Sequence, residues 1–160
     1  MPSIEARLKE MGIVLPTPPA PVGSYAAAVI ARGMLFVSGQ LPLGPDGSIA
    51  PGHKGKLGQD LFNEAGQEAA RLCAINVLAQ ARLALDGDLS RIRQCVRLCG
   101  YVNAGPKFHA IAAVVNGASD FIAAALGPGK GRHARAAVGV AELPLDAAVE
   151  IEAIFDLEQD

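Results

Sequence analysis

From Asp60 to Leu85 the chain carries one long amphipathic run. Leu61, Ala65, Ala69, Leu72, Ile75, Val77 and Leu78 fall mainly on one helical face, with Glu64, Glu68 and Arg71 elsewhere. A helix of that length must lay its apolar stripe on another element, so it dictates a layered architecture. What flanks it reads as strand. Ala26 to Ile30 and Met34 to Ser38 form two β runs joined at "ARG", where Gly33 can take a positive φ, so the pair reads as a hairpin. "LDGDLS" ends the helix. Ile92 to Val102 then alternates, with Ile92, Gln94, Val96 and Leu98 on one side and Arg93, Cys95, Arg97 and Cys99 on the other. A second helix is predicted from about Lys107 to Leu126, stopped by "GPGKG". Two last strands, Arg135 to Val140 and Val149 to Phe155, are joined by "AELPLDAA". The order β-β-α-β-α-β-β predicts an α+β fold, a mixed sheet with both helices packed on one face. The opposite face then needs a cover.

Upstream, Ile4, Leu8 and Met11 recur at helical spacing behind Ser3 as cap, and Gly12 closes the segment. The proline-rich "LPTPPAPVGSY" is short of backbone donors and reads as an extended arm across the surface. Residues 1–22 are therefore taken as helix plus arm, and 23–160 as a single domain. "GPDGS" marks a tight turn, and "APGHKGKLG" a polar loop.

The 160 residues suffice for one core without disulfide or metal staples. A net charge of −2 gives no overall attraction to nucleic acid. Apolar residues make up 51% of the chain, mostly Ala, Val, Ile and Leu with no Trp. That predicts a closely spaced interior, with apolar surface to spare for contact between subunits. Cys73, Cys95 and Cys99 lack zinc-type spacing and read as buried free thiols. The N-terminal "MPSIEARLKEMGIVL" has an early acid and no long apolar stretch, unlike a secretory signal, and no segment approaches a membrane span. The expected location is the cytoplasm.

Against this background "KGRHARAAVGV" places Arg135 in what reads as a buried strand. A guanidinium keeps its proton and must find an anion or acceptors, so the position is costly unless something meets it. Ala137, Gly139 and Ala141 keep that side of the strand small, which suits subunit packing or a ligand cleft. In "AVEIEAIFDL", Val149, Ile151, Ala153 and Phe155 share one face and Glu150, Glu152, Ile154 and Asp156 the other. Glu152 sits deepest in that apolar strand. If the last two strands pair, Arg135 and Glu152 are neighbours pointing into one space. They then form either a structural ion pair or a site in which the arginine's planar fork holds a small carboxylate and the glutamate steers a proton for water.

"LFVSGQLP" after the hairpin, "ARAAVGVAELP" and "VEIEAI" together resemble the reactive intermediate deaminase (Rid, YjgF-like) family, also called L-PSP-type endoribonucleases and translation inhibitors. The likeness runs in order from about Gly23 to Leu157. It implies a chorismate-mutase-like fold, a homotrimer and active-site clefts between subunits, with no cofactor or metal. It also implies that Arg135 binds the carboxylate of an enamine or imine such as 2-aminoacrylate. Glu152 would orient the water that releases ammonia and leaves a 2-oxo acid. By the same likeness Tyr25, Ser38, Gly39 and Asn116 line the cleft. Ala137 stands where better-known members carry a cysteine, so the position keeps a backbone donor and loses a thiol.

Other signals are weaker. His53, His109 and His133 are too widely spaced for a ligand pair on one element. "GPGKG" follows a helix and lacks the phosphate-loop spacing, so it reads as a helix stop, while Lys130, Arg132 and His133 form either a small anion-binding rim or a solvated loop. "VSGQ" is no nucleophile elbow, which leaves Ser38 a contact residue. Two further functions compete with imine hydrolysis. One is a carboxylate-binding or regulatory trimer that needs the arginine and not Glu152. The other is RNA cleavage, against which stand the negative net charge and an aromatic content of 4%.

Overall fold

The computed structural model describes residues 1–158. Helix α1 (Ile4–Glu10) comes first, followed by strands β1 (Ala28–Ala31) and β2 (Met34–Gln40), helix α2 (Asn63–Ala84), strand β3 (Ile92–Asn103), helix α3 (Ile111–Leu126), and strands β4 (Ala134–Val140) and β5 (Val149–Leu157). They build the α+β arrangement the sequence predicts, a five-stranded mixed sheet ordered β1-β2-β5-β3-β4 in which only β3 and β4 run parallel.

One expectation fails. The two last strands are not neighbours, because β3 lies between them. Helix α3 crosses over and returns the chain parallel to β3 on its outer edge, as a βαβ connection must. The connection after β4 then carries β5 to the inner edge, where it runs antiparallel to both β2 and β3. Strand β4 is left at the sheet edge, largely exposed, so Arg135 does not occupy a buried strand in the single chain.

The β1–β2 hairpin turns through Arg32 and Gly33 at φ of 49° and 73°. Two successive positive values match the right-handed twist of the flanking strands, and a glycine adopts its share without strain. Ser3 caps α1 by accepting from the Ala6 amide at 3.1 Å. Ile4, Leu8 and Leu15 join the same core as the sheet, so helix and arm are packed on the rest of the molecule. Turn residue Asp46 accepts from both the amide and the hydroxyl of Ser48, at 3.0 and 2.7 Å.

Two helix starts and the face pattern of one strand differ from expectation for local reasons. Helix α2 starts at Asn63 and not Asp60, because the Asp60 carboxylate accepts from the Lys56 amide at 2.8 Å and closes a turn there. Helix α3 starts at Ile111, since Lys107 at φ 63° belongs to the turn that the Phe108 amide closes on Gly105. In β3 the strict alternation breaks at two register shifts, so Cys95 is buried between Ile92 and Leu98 while Gln94 and Val96 face out. All three cysteines are buried free thiols. Burial pushes the Cys95 thiol up to about 12, which leaves it unreactive at neutral pH.

Leu35, Val37, Leu98, Val102, Ile151 and Phe155 form the covered sheet face, and α2 and α3 bury Val77, Leu78, Val115 and Ile122 against it. The helices approach closely at Gly117, where a Cβ would lie 2.1 Å from the Gln67 carbonyl oxygen. The Gln67 side-chain amide clasps the crossing by donating to the Ala113 carbonyl at 2.9 Å. The other sheet face has no cover among the described residues: Val29 is 51% exposed, Phe36 41% and Val138 44%, values high for large apolar side chains on a sheet. No helix among the described residues is long and apolar enough to cross a membrane.

Because the atom opposite Gly117 is backbone and cannot swing away, Gly117→Ala forces α2 and α3 apart. We expect a loss of about 1–3 kcal/mol, read as a lower urea midpoint at unchanged slope.

Candidate active site

Arg135 leads the exposed half of β4. Its register partner on β3 is Leu98, which in turn faces Ala153 on β5, so all three side chains project to the helix side of the sheet. There α3 meets it. Asn116 Oδ1 accepts from Arg135 Nη1 at 2.7 Å and Ser119 Oγ accepts from the same nitrogen at 3.2 Å. Asn116 and Ser119 lie three residues apart, which places them on one stripe of the helix. Both hydrogens of Nη1 are thereby occupied. Nε and Nη2, the other edge of the fork, have no partner among the described residues. Two parallel donors on one edge are what a bidentate carboxylate requires.

Glu152 lies elsewhere. It pairs with Cys99, and Cys99 with Ala136, on the uncovered face of the sheet. Within one chain, therefore, Arg135 and Glu152 point to opposite faces and are separated by the width of β3, contrary to the expectation that they share a space. A structural Arg135–Glu152 ion pair within one chain is excluded on the same ground.

The uncovered face brings together a different group. Glu150 pairs with Tyr101 and is half-buried beside Glu152. Burial raises its carboxyl above the ordinary value, and the neighbouring Glu152 charge raises it further. The Tyr101 phenol is held above its usual value by hydrogen bonding to Cys99, by burial and by the charge of Glu152. Over this cluster passes β2, with one extra residue between the Val37–Ala153 and Gln40–Ile151 pairs. The irregular stretch holds Ser38 and Gly39. A Cβ on Gly39 would fall 2.0 Å from Glu150 Oε1, so the carboxylate occupies the space that only glycine leaves open.

The remaining residues singled out from the sequence divide between the two places. Asn116 joins Arg135. Gly39 joins the carboxylates. Ser38 spends its hydroxyl on the Ala26 carbonyl at 2.7 Å, pinning the chain before β1. Tyr25 is exposed beside Gly23 at the start of that segment. Ala137 pairs with Gly100 and turns its methyl into the core, so only its backbone is available to a ligand. The basic loop is anchored at two points, and Arg132 is exposed. Lys130 donates to the Ile92 carbonyl at 2.9 Å, and the Arg132 carbonyl accepts from Gln94 at 3.1 Å, which ties the loop to β3. Sequence reasoning misses two residues, Ser119 and Glu150, and names His133 in the basic loop without its partner Ser119. Asn116 and Ser119 share a helical stripe in the sequence, and Glu150 shares the outward face with Glu152. Both patterns were visible, but neither names a partner.

The endoribonuclease L-PSP family profile matches residues 16–156. The chain belongs to this YjgF/Rid family. It is 45% identical to protein TCP17 of Trypanosoma cruzi over 96% of this chain and 94% of that protein. The crystal structure of Atu1372 from Agrobacterium tumefaciens, a protein of unknown function, superposes with a TM-score of 0.88 at 48% identity, covering 97% of this chain and 92% of that one. The YjgF gene product of E. coli superposes at 0.60 with 26% identity, over 89% and 94% of the two chains. This YjgF-like, chorismate-mutase-like fold is the one that the family motifs imply.

The Glu150 shift has a consequence for this family member's stability. A carboxyl whose pKa is raised on folding favours the fold while protonated. That contribution is complete below the unfolded value near 4.5 and is lost as pH rises through the folded one. Glu150→Gln cannot ionise. Its melting temperature should exceed that of the wild type at pH 7, and the two should converge near pH 4.

Proposed function

We propose that this Rid-family chain hydrolyses small carboxylate-bearing imines and enamines, in a cleft completed by a second copy within a homotrimer. The observation that carries the reading is the half-satisfied guanidinium. Nη1 of Arg135 is anchored by Asn116 and Ser119, while Nε and Nη2 have no partner among the described residues. An arginine braced on one edge and open on the other is organised to receive a planar anion, and its permanent charge selects a carboxylate.

The proton chemistry falls to the β5 carboxylates. They lie on the face that needs a cover, and a neighbouring copy that brings its β4 edge over this face would set its Arg135 beside them. Such a cleft excludes water and strengthens each electrostatic contact within it. Of the two acids, Glu150 fits the role better than Glu152. Burial and the Glu152 charge raise its pKa above the ordinary carboxyl value, so it holds a proton more readily than a solvated carboxylate, and Gly39 gives it a defined position.

The reaction balances with water alone. An enamine such as 2-aminoacrylate takes a proton on its terminal carbon from the protonated acid and becomes the iminium, which leaves the acid as carboxylate. Water adds to the iminium carbon as the carboxylate removes one of its protons, giving a carbinolamine. The amine nitrogen then receives that proton and leaves as ammonia as the C–N bond breaks, and the carbinolamine hydroxyl returns its proton to the acid as the carbonyl of the 2-oxo acid forms. Arg135 holds the substrate carboxylate throughout, which fixes the reacting carbon beside the acid.

An amino-acid oxidase that generates imines in the presence of semicarbazide tests this. Active protein diverts imine to 2-oxo acid and lowers the rate of semicarbazone formation. We expect Arg135→Ala to lose about 10²-fold in kcat/KM through substrate binding. Glu150→Gln should lose about 10²–10⁴-fold in kcat with KM little changed. No effect of the wild type on any imine tested would overturn the reading. Pyruvate binding without turnover, indifferent to Glu150→Gln, would instead establish a carboxylate-binding trimer.

A further inference from the structure

Behind Arg135 stands a second tier of hydrogen bonds. His133, two residues earlier, places Nδ1 2.7 Å from the Gly131 carbonyl and Nε2 2.9 Å from Ser119 Oγ. A carbonyl oxygen only accepts, so Nδ1 carries the hydrogen. In the neutral ring Nε2 is then an acceptor, and the Ser119 hydroxyl must donate to it. With its one hydrogen committed, the Ser119 oxygen presents its lone pairs to Arg135 Nη1. The order of donation runs from Arg135 to Ser119 to His133, while the ring hands its own hydrogen to the Gly131 carbonyl. Every polarity along this line is fixed by the backbone carbonyl at its end.

We infer that His133, acting through Ser119, is a positioning residue for Arg135: it sets the direction of the Ser119 hydroxyl, and that oxygen holds Nη1 inward so that Nε and Nη2 face a ligand. The inference rests on the reading of Arg135 as a carboxylate anchor and adds what keeps the anchor in its pose. A serine with a free rotor would spend part of its time with its hydrogen, and not a lone pair, turned toward Nη1. His133 removes that ambiguity. The loop geometry serves the same end. The Gly131 amide donates to the Gly127 carbonyl at 3.0 Å, and Lys130 donates to Ile92 at 2.9 Å, so the carbonyl that dictates the tautomer is itself held to α3 and β3.

Pyruvate, titrated calorimetrically into the full chain in its native assembly, is the probe. His133→Ala is expected to weaken pyruvate about tenfold. Ser119→Ala should do the same, and the double variant should be no weaker than either single one, because both remove one chain of bonds. His133→Gln should restore most of the affinity, since an amide oxygen can accept from Ser119 where Nε2 does. Melting temperatures for each variant separate loss of pose from loss of fold. Additive losses in the double variant, or failure of His133→Gln to rescue in a protein that melts like the wild type, would overturn the inference. Arg135→Ala distinguishes the two levels. If it leaves pyruvate binding intact, or the wild type binds none, the anchor reading falls and this inference with it. If it abolishes binding while His133→Ala changes nothing, only the role of His133 falls.

Discussion

Strand β3 is hydrogen-bonded along both edges, antiparallel to β5 on one side and parallel to β4 on the other, and this double pairing sets where everything else can go. The parallel ladder requires a crossover, and α3 is that crossover. Once α3 lies on the sheet beside α2, one face is sealed and the other left bare. The crossover also brings Asn116 and Ser119 over the first residues of β4, where Arg135 emerges. Neither residue would reach the arginine if β4 returned as a hairpin partner of β5.

The same pairing keeps Arg135 and the β5 carboxylates apart within one chain. Neighbouring residues across a sheet project to the same face and successive ones alternate, so Arg135, in the Leu98–Ala153 row, cannot face Glu152, in the Cys99 row. The charges are nevertheless arranged as groups awaiting company. Arg135 sits on an exposed edge, where an open guanidinium edge is hydrated at little cost. Burial makes that edge expensive unless an anion arrives with it. Glu150 already bears part of the corresponding cost, since its raised pKa records a carboxylate that ionises less readily than it would in water. Sites that carry out chemistry commonly sacrifice stability in this way.

Much of the fold could be read from the chain because local signals and tertiary demands agree there. The apolar stripe of α2, the Gly33 turn and the alternation of β5 each have one sensible outcome, and each is found. What could not be read depends on relations between elements. Nothing in "AELPLDAA" says whether the strands it joins are neighbours. That is settled by α3, which must cross over β3 before β4 can pair. The helix starts shifted because Asp60 and Lys107 serve turns, and a periodicity count does not register a side chain spent on a backbone amide. At the site, Arg135 was conspicuous as a cation in an apolar run, whereas Ser119 and His133 carry no such contrast. Their meaning lies in a hydrogen-bond order that exists only once helix, loop and strand converge. Glu150 and Glu152 were equivalent in pattern. The difference between them, Gly39 above one and not the other, comes from an irregularity in β2.

If the site is divided between two copies as proposed, ligand and assembly are tied together. A carboxylate that binds Arg135 of one subunit beside the acids of another binds only the assembled form. It therefore shifts the equilibrium toward assembly by a free energy that grows with the logarithm of ligand concentration over its dissociation constant. In the proposed assembly, burial of the uncovered apolar residues Val29, Phe36 and Val138 would supply a driving force for association without a ligand. Association of that kind has little directional preference of its own. The orientation of one copy on another must come from groups that cannot be buried unpaired, and on this face these are Glu150, Glu152 and the Tyr101 phenol, with the open edge of Arg135 as their counterpart. Residues proposed to bind and transform the substrate are then also those that register the subunits. On that footing a cleft residue cannot be changed for specificity without some effect on how the copies meet.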